Sequence, residues 1–121
     1  MRIVYMAIIA FTLLISPRLH AAENVYFIKG IADLPILTSM VEIADETALY
    51  DKPEGRIVSL AFDYNATTPN AITGFYHQTL PSLGWQHRGI GLYTRGHETL
   101  HYAFDEQAHI VTIKITPRTH F

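Results

Sequence analysis

Histidine is the residue type in this chain with the clearest capacity to bind a metal, because seven of the 121 residues are histidines. His97 and His101 form the first pair to consider. In a strand, residues four apart share a face but lie about 13 Å apart, which is too far for both to bind one ion. His87 and His109 would have to come from neighbouring strands whose register the sequence does not define. We therefore predict no metal site and no cofactor, and interpret the histidines as scattered surface residues.

General acid-base chemistry could be carried by Asp63, Glu98 and His101, which fall on or near predicted strands. No serine lies in a nucleophile-elbow pattern with a histidine and a carboxylate arranged recognisably around it. Polar residues on the solvated face of a strand are far commoner than catalytic dyads, so we assign no catalytic residue. A small hydrolase that uses these three residues is the alternative to a non-enzymatic protein.

Aromatic and arginine side chains supply the candidates for contact with a ligand or partner, because these residue types are favoured anchors at interfaces. Tyr93 and Tyr102 are expected to reach a surface or groove of the sheet. Tyr76 and Trp85 are candidates for the same surface, but core packing explains both at least as well and is the preferred interpretation. The predicted contact residues are Arg56, Tyr76, Trp85 and Arg95.

The charge balance excludes some classes of partner. The formal net charge is −2, and removal of Arg2 and Arg18 with the N-terminal segment would make it −4. An acidic domain without a run of basic residues is a poor candidate for binding nucleic acid or an anionic membrane surface. The expected partner is therefore an envelope protein or another envelope component.

The N-terminal segment has the proportions of a signal peptide. Met1 and Arg2 form a positive start, and the apolar run that follows is shorter than the roughly 18 to 20 residues that span a bilayer. We predict a signal peptide over residues 1–21, with cleavage after Ala21 or Ala22, and one domain over residues 22–121. The chain has 0 cysteines, which excludes disulfides and a lipid-acceptor cysteine. A periplasmic or secreted protein is expected, or a membrane-tethered subunit if the segment is retained.

A single amphipathic helix is predicted after a polar loop. Thr68 is the expected N-cap, followed by Pro69 at the first helical position. Pro81 ends the helix or begins its last turn, and Gly84 is expected to take a left-handed conformation before Trp85. Spacings of three and four place one apolar stripe on the helix, formed by Ile72, Phe75, Tyr76, Thr79, Leu80 and Leu83.

Strands are predicted on both sides of this helix. Residues 23–37 are interpreted as an extended lead-in that packs across the sheet, and Asp51 to Gly55 as the turn between strands at 47–50 and 56–64. After the helix, strands are expected at 85–93, 98–104 and 110–116, with Gly89-Ile90-Gly91 as a flexible bend in the first. The order is β-β-α-β-β-β. Since one helix must bury its stripe on an antiparallel sheet, the fold class is α+β, a two-layer sandwich.

Two segments carry a resemblance to a known group. They are Tyr50-Asp51-Lys52-Pro53-Glu54-Gly55-Arg56-Ile57 and Phe75-Tyr76-His77-Gln78-Thr79-Leu80-Pro81-Ser82-Leu83-Gly84-Trp85, followed by Tyr93-Thr94-Arg95 and Glu98-Thr99-Leu100. They resemble an uncharacterised group of small exported alphaproteobacterial proteins with a D-x-P-x-G-R-I turn and an F-Y-x-x-T-L-P-x-L-G-W helix end. The resemblance covers about residues 33–117 and implies compartment and fold, but no catalytic residue. We expect an exported, non-enzymatic binding or interaction module.

Overall fold

The computed structural model of the protein describes residues 24–118, which form nine strands and one α-helix. The predicted signal peptide and its cleavage site lie outside the described residues. Short 3-10 helices at Ala44–Glu46 and Pro81–Leu83 connect neighbouring elements. In chain order the elements are β1 (Val25–Ile28), β2 (Ile31–Leu37), β3 (Val41–Glu42), β4 (Ala48–Lys52), β5 (Gly55–Asp63), α1 (Pro69–Thr79), β6 (Gln86–Gly89), β7 (Leu92–Arg95), β8 (Glu98–Asp105) and β9 (Ile110–Pro117).

Seven of these strands form one antiparallel sheet in the order β3-β5-β9-β8-β7-β6. The seventh strand, β4, pairs with another part of β5 on the same side as β3. β1 and β2 form a separate antiparallel hairpin. α1 follows β5 and leads to β6 at the far edge, and the strands from β6 to β9 then return to β5 by successive hairpins.

The prediction of an α+β fold dominated by an antiparallel sheet with one helix is confirmed. The predicted strand count is wrong, because two hairpins and the short strand β3 were missed. Residues 23–37 are not a single extended segment but β1 and β2, joined at Lys29 and Gly30, where Gly30 has a φ of 91°. The segment from Trp85 to Tyr93 is likewise two strands, β6 and β7, joined at Ile90 and Gly91 rather than bent in the middle.

Alternation along the strands gives the sheet one strongly apolar face. On β5, Val58, Leu60 and Phe62 are buried, and their neighbours on β9 include Ile113 and Ile115. Successive side chains point to opposite faces, so these residues share the face that we call the inner face. The same pattern continues on β8 with Leu100, Tyr102 and partly buried Phe104, whereas His101 and Ala103 are exposed.

Helix α1 begins and ends as predicted from its flanking residues. The side-chain oxygen of Thr68 accepts a hydrogen bond of 3.1 Å from the Ala71 N–H, which satisfies one of the free donors of the first turn. Ile72, Tyr76 and Leu80 are buried in the core, as their spacing requires. Within residues 24–118, no helix has the length and hydropathy to cross a bilayer.

Tyr76 connects the helix to the first hairpin. Its side chain is 1% exposed, and its hydroxyl donates a 2.8 Å hydrogen bond to the carbonyl oxygen of Pro35 on β2. Among residues 24–118, β2 pairs only with β1, so a proline without an N–H is tolerated in it. Burial raises the pKa of Tyr76, because the charged form would lose its hydration. Tyr76 is therefore a neutral hydrogen-bond donor that positions β2.

Candidate functional site

A groove of about 490 Å³ lies between α1, the β6–β7 hairpin and the end of β8. We call it the ring-lined groove. Thr73 contributes from α1, while Ile90 and Gly91 contribute from the turn between β6 and β7, and His101 and Ala103 complete the wall along β8. Its aromatic and imidazole rings are those of His77, His87, Tyr93, Tyr102 and Phe104.

The groove exists because β8 is longer than the strand beside it. β7 pairs with β8 only from Glu98 to His101, and the last contact on this side is the Tyr102 N–H, which donates to the Gly91 carbonyl at 2.9 Å. β8 nevertheless continues to Asp105. The final residues of β8 thus extend past the end of β7, and the space beside them is closed by α1 rather than by another strand.

Gly91 fixes the position of the turn at the edge of the groove. Its φ is 61°, in the left-handed region that non-glycine residues rarely adopt. A Cβ at this position would lie 2.5 Å from the carbonyl oxygen of Tyr102, well inside contact distance. Only glycine therefore lets the turn come this close to β8.

The rings of the groove contact one another in an unbroken series. His77 on α1 lies edge to face with His87 on β6, with centroids 5.9 Å apart and an interplanar angle of 86°. His87 then contacts Tyr93 at 5.1 Å, and Tyr93 is stacked with Tyr102 at 6.5 Å. Tyr102 meets Phe104 edge to face at 5.8 Å. Mutual packing of this kind fixes ring orientations before any ligand arrives.

Beyond Phe104, the series of ring contacts continues to Tyr64 and His109, close to the carboxylates of Glu106 and Asp105. Phe104 contacts buried Tyr64 at 5.5 Å, and Tyr64 contacts His109 at 5.7 Å. Burial, and then the carboxylates of Glu106 and Asp105, raise the pKa of Tyr64. The Tyr64 hydroxyl is buried and has no hydrogen-bond partner among residues 24–118. Glu106 itself lines the groove.

A second constellation, at the other end of β8, is a closed ring of four charged residues. We call it the ionic cluster, formed by Asp33, Arg56, Arg95 and Glu98. Arg56 contacts Asp33 at 2.9 Å and Glu98 at 2.6 Å, and Arg95 contacts the same two carboxylates at 2.7 and 3.1 Å. Burial alone would raise the pKa of Asp33, but hydrogen bonds from Arg56 and Arg95 lower it to about 2. The hydrogen bonds that Arg56 donates to Glu98 and Asp33 raise the pKa of Arg56.

The ionic cluster joins elements that are distant in sequence. Asp33 lies on β2, Arg56 on β5, Arg95 on β7 and Glu98 on β8, so the cluster holds the first hairpin to the sheet. The Arg95 guanidinium also lies 4.3 Å from the centroid of the Trp85 ring. Each arginine is bound to two carboxylates, so the cluster links β2 to three strands of the sheet.

The four predicted contact residues therefore lie in different parts of the structure. Arg56 and Arg95 come together in the ionic cluster, with Trp85, 2% exposed, packed against Arg95. Tyr76 is buried against β2 and belongs to neither site. Tyr93 and Tyr102, expected to reach a surface or groove, border the ring-lined groove but are only 1% and 5% exposed. Sequence reasoning did not predict that His77, His87, Phe104 and Glu106 line a groove. The one signal for them in the sequence was that they cluster around the end of the helix and the hairpins that follow it.

The three residues considered for acid-base chemistry do not converge. On β9, Asp63 is opposite Ile110 and Glu98 is opposite Pro117. These two positions are separated by about 23 Å along the strand. His101 is three residues from Glu98 on β8, so their side chains point to opposite faces of the sheet.

A metal site finds equally little support in the described part of the chain. Within residues 24–118, no group of three or more histidine, aspartate or glutamate side chains is arranged to hold a metal ion. Comparison of the chain with protein-family models, with curated proteins and with solved structures finds no match in any of the three.

Proposed function

We propose that this chain is an exported bacterial envelope protein that acts as a non-enzymatic binding module, with the ring-lined groove as its binding site. The observation that carries the proposal is the groove itself: about 490 Å³, with rings packed along one side. Binding sites for small molecules are typically concave spaces of about 300 to 1,000 Å³, mostly apolar and with few polar groups. The ligand is a small, largely apolar component of the envelope.

Preorganisation supports binding as the role of the groove. The rings of His87, Tyr93 and Tyr102 contact one another in sequence, and Gly91 holds the turn against β8. A site whose walls are already ordered loses less conformational entropy when a ligand enters. The groove is also open to solvent at exposed His77, His87 and Ile90, so a ligand can reach it without unfolding of the sheet.

The proposed compartment is the periplasm or the extracellular space. The support is the N-terminal segment, with its positive start, short apolar run and small residues near Ala21, together with the resemblance to exported alphaproteobacterial proteins. Expression in a bacterium and mass determination of protein recovered from the periplasm test this. Loss of 21 or 22 residues is expected. Recovery of the uncleaved chain in the membrane fraction would instead support the tethered alternative.

For the architecture we infer two layers, with α1 and the first hairpin on the inner face of the sheet. Ile72 and Tyr76 of the helix belong to the same core as Leu60 on β5 and Ile113 on β9. Opposite them, His101 on the other face is exposed. This arrangement supports the groove as a gap at one end of the helix-bearing layer.

The hydrolase alternative has less support than the binding module. Its three residues lie at different ends or faces of the sheet, as the pairing of β9 with β5 and β8 requires. Glu98 is moreover engaged by two arginines in the ionic cluster. Its oxygens already accept hydrogen bonds from these guanidinium groups, whereas a general base must reach the proton that it abstracts.

The binding proposal can be tested by amide NMR of the purified protein, titrated with a set of small ring-bearing compounds. We expect the largest shift changes at Gly91, Tyr102 and Phe104. Thr73→Trp places a bulky side chain in the groove and should weaken binding at least ten-fold. Gln78→Trp is the matched control, since Gln78 is an exposed residue on another surface of α1. Shift changes confined to residues outside the groove would refute the assignment.

A further inference from the structure

We propose that the ring-lined groove selects a positively charged organic ligand, an amine with an apolar body, over neutral or anionic analogues of the same size. The inference rests on the proposed function and specifies its ligand class. Its basis is charge complementarity between the ligand and the walls of the groove.

The charge on the groove walls has one sign. Among the residues that line the groove, Glu106 is the only one with a formal charge when histidine is counted as neutral. The nearest carboxylate along the chain is that of Asp105, whose Oδ1 accepts hydrogen bonds from the N–H groups of Gln107 and Ala108 at 3.1 Å. These bonds hold the acidic turn in place at the end of β8. The lining residues contribute no lysine or arginine to offset this charge.

The negative potential extends inward from this turn. Glu106 and Asp105 both act on the buried Tyr64, where they add to the effect of burial in raising its pKa. Tyr64 in turn lies against Phe104, which lines the groove. A ligand with a positive group near Glu106 would therefore enter a region of favourable potential, and an anion would be repelled.

The rings add a second attraction for a cation. The face of an aromatic ring carries the negative part of its quadrupole, and ammonium groups bind over such faces within about 6 Å of the centroid. Tyr102 and Phe104 meet at 77°, so these two rings present their faces in different directions. A mostly apolar space of about 490 Å³ also has room for a hydrocarbon body beside the charged group.

The nearby Arg88 does not offset the negative charge of the groove. Arg88, on β6, donates from Nε to the Thr94 hydroxyl at 2.8 Å and from Nη2 to the Gln86 side-chain oxygen at 2.7 Å. Thr94 and Gln86 are paired across the two strands, and the side chain of Thr94 alternates with that of Tyr93, which lines the groove. The Arg88 guanidinium is thus held on the opposite face of the sheet.

The test is a titration of the purified protein with 4-phenylbutylamine, 4-phenylbutanol and 4-phenylbutyrate, which share a body and differ in charge. We expect the amine to bind at least five-fold more tightly than the alcohol, and the carboxylate to bind most weakly. Glu106→Gln should reduce the preference for the amine to less than two-fold. Glu54→Gln, in the exposed turn between β4 and β5 at the other end of the sheet, should leave it unchanged.

The outcomes separate this inference from the proposed function. Equal affinity for the three compounds in the groove would overturn the charge preference and leave the groove as a binding site. A preference for the amine that survives Glu106→Gln would overturn the assignment to Glu106. Absence of binding by all three compounds would refute both the charge preference and the groove as a site for such ligands.

Discussion

Gly91→Ala is expected to destabilise the protein far more than Gly96→Ala, although both glycines lie in hairpin turns with positive φ. Gly91 has a φ of 61° and Gly96 a φ of 56°, so the conformational penalty for an alanine is similar, about 1 to 2 kcal/mol. The difference lies in the surroundings. A Cβ at Gly91 would be 2.5 Å from the Tyr102 carbonyl oxygen, whereas a Cβ at Gly96 would meet nothing within 4 Å.

The contact at Gly91 involves backbone on both sides, so it cannot be relieved by rotation of a side chain. The turn and β8 must move apart, which strains the hydrogen bond of 2.9 Å from the Tyr102 N–H to the Gly91 carbonyl. Overpacking of this kind costs about 1 to 3 kcal/mol, in addition to the conformational penalty. Gly91→Ala should therefore lower the free energy of unfolding by about 2 to 5 kcal/mol, and Gly96→Ala by about 1 to 2 kcal/mol.

Urea denaturation followed by circular dichroism measures both values. In a domain of this size, 1 kcal/mol corresponds to about 4 to 8 °C in Tm, so thermal unfolding should separate the two variants clearly. In Gly91→Ala the amide signals of Tyr102 and Phe104 should also shift, because the turn forms the edge of the groove. Equal destabilisation of the two variants, within about 0.5 kcal/mol, would refute the close approach of the turn to β8.

Two further predictions concern buried hydroxyls and acid stability. Tyr76→Phe leaves the Pro35 carbonyl without its donor and should lower the free energy of unfolding by about 1 to 3 kcal/mol. Tyr64→Phe removes an unpaired hydroxyl and should change the free energy of unfolding by less than about 0.5 kcal/mol. Urea denaturation measures both values, and equal costs would contradict this prediction. The pKa of Asp33 is lowered from 3.8 to about 2, so its stabilisation is complete above pH 3.8 and is lost as pH falls towards 2. That shift corresponds to about 2.4 kcal/mol at most, reduced by solvent screening to about 1 kcal/mol because Asp33 is 39% exposed. Urea midpoints at pH 5, 3 and 2 should show this loss in the native protein and less of it in Asp33→Asn, and identical pH profiles would refute it.

Local signals in the sequence were sufficient for α1 and for the long strands. Thr68 and Pro69 mark the start of the helix, and Gly84, with a φ of 94°, gives the predicted left-handed exit. Apolar and polar residues alternate along most of β8 and β9, and β5 has large apolar residues at every second position from Val58 to Phe62, which makes the strand period visible. These elements are specified by their own residues, so they could be predicted without knowledge of their neighbours.

The two missed hairpins lack such local signals. β6 consists of Gln86 to Gly89 and contains no apolar side chain, so its place in the sheet comes from pairing with β7 rather than from alternation. In β2, Pro35 argues against a strand, and only the absence of a second strand neighbour makes it acceptable. In both cases the deciding fact is which strand lies alongside, and that is a tertiary property.

The groove could not be predicted for the same reason. His77 and His87 are ten residues apart in sequence, and they meet because α1 and β6 are brought together around Gly84. Phe104 borders the groove, beyond the last residue of β8 that pairs with β7, which is His101. Composition identified aromatic residues as candidates, but strand register decided which of them share a surface.

The register of β8 also separates structural candidates from binding candidates. Glu98, at its start, is held in the ionic cluster with both arginines, and Phe104, near its end, lines the groove about 20 Å away. Both side chains lie on the inner face, so β8 contributes to the ionic cluster at one end and to the ring-lined groove at the other. The charged and aromatic candidates that sequence analysis grouped together therefore lie in different places: Arg56 and Arg95 join the first hairpin to the sheet, and the rings of Tyr93, Tyr102 and Phe104 lie beside the groove that we propose as the binding site.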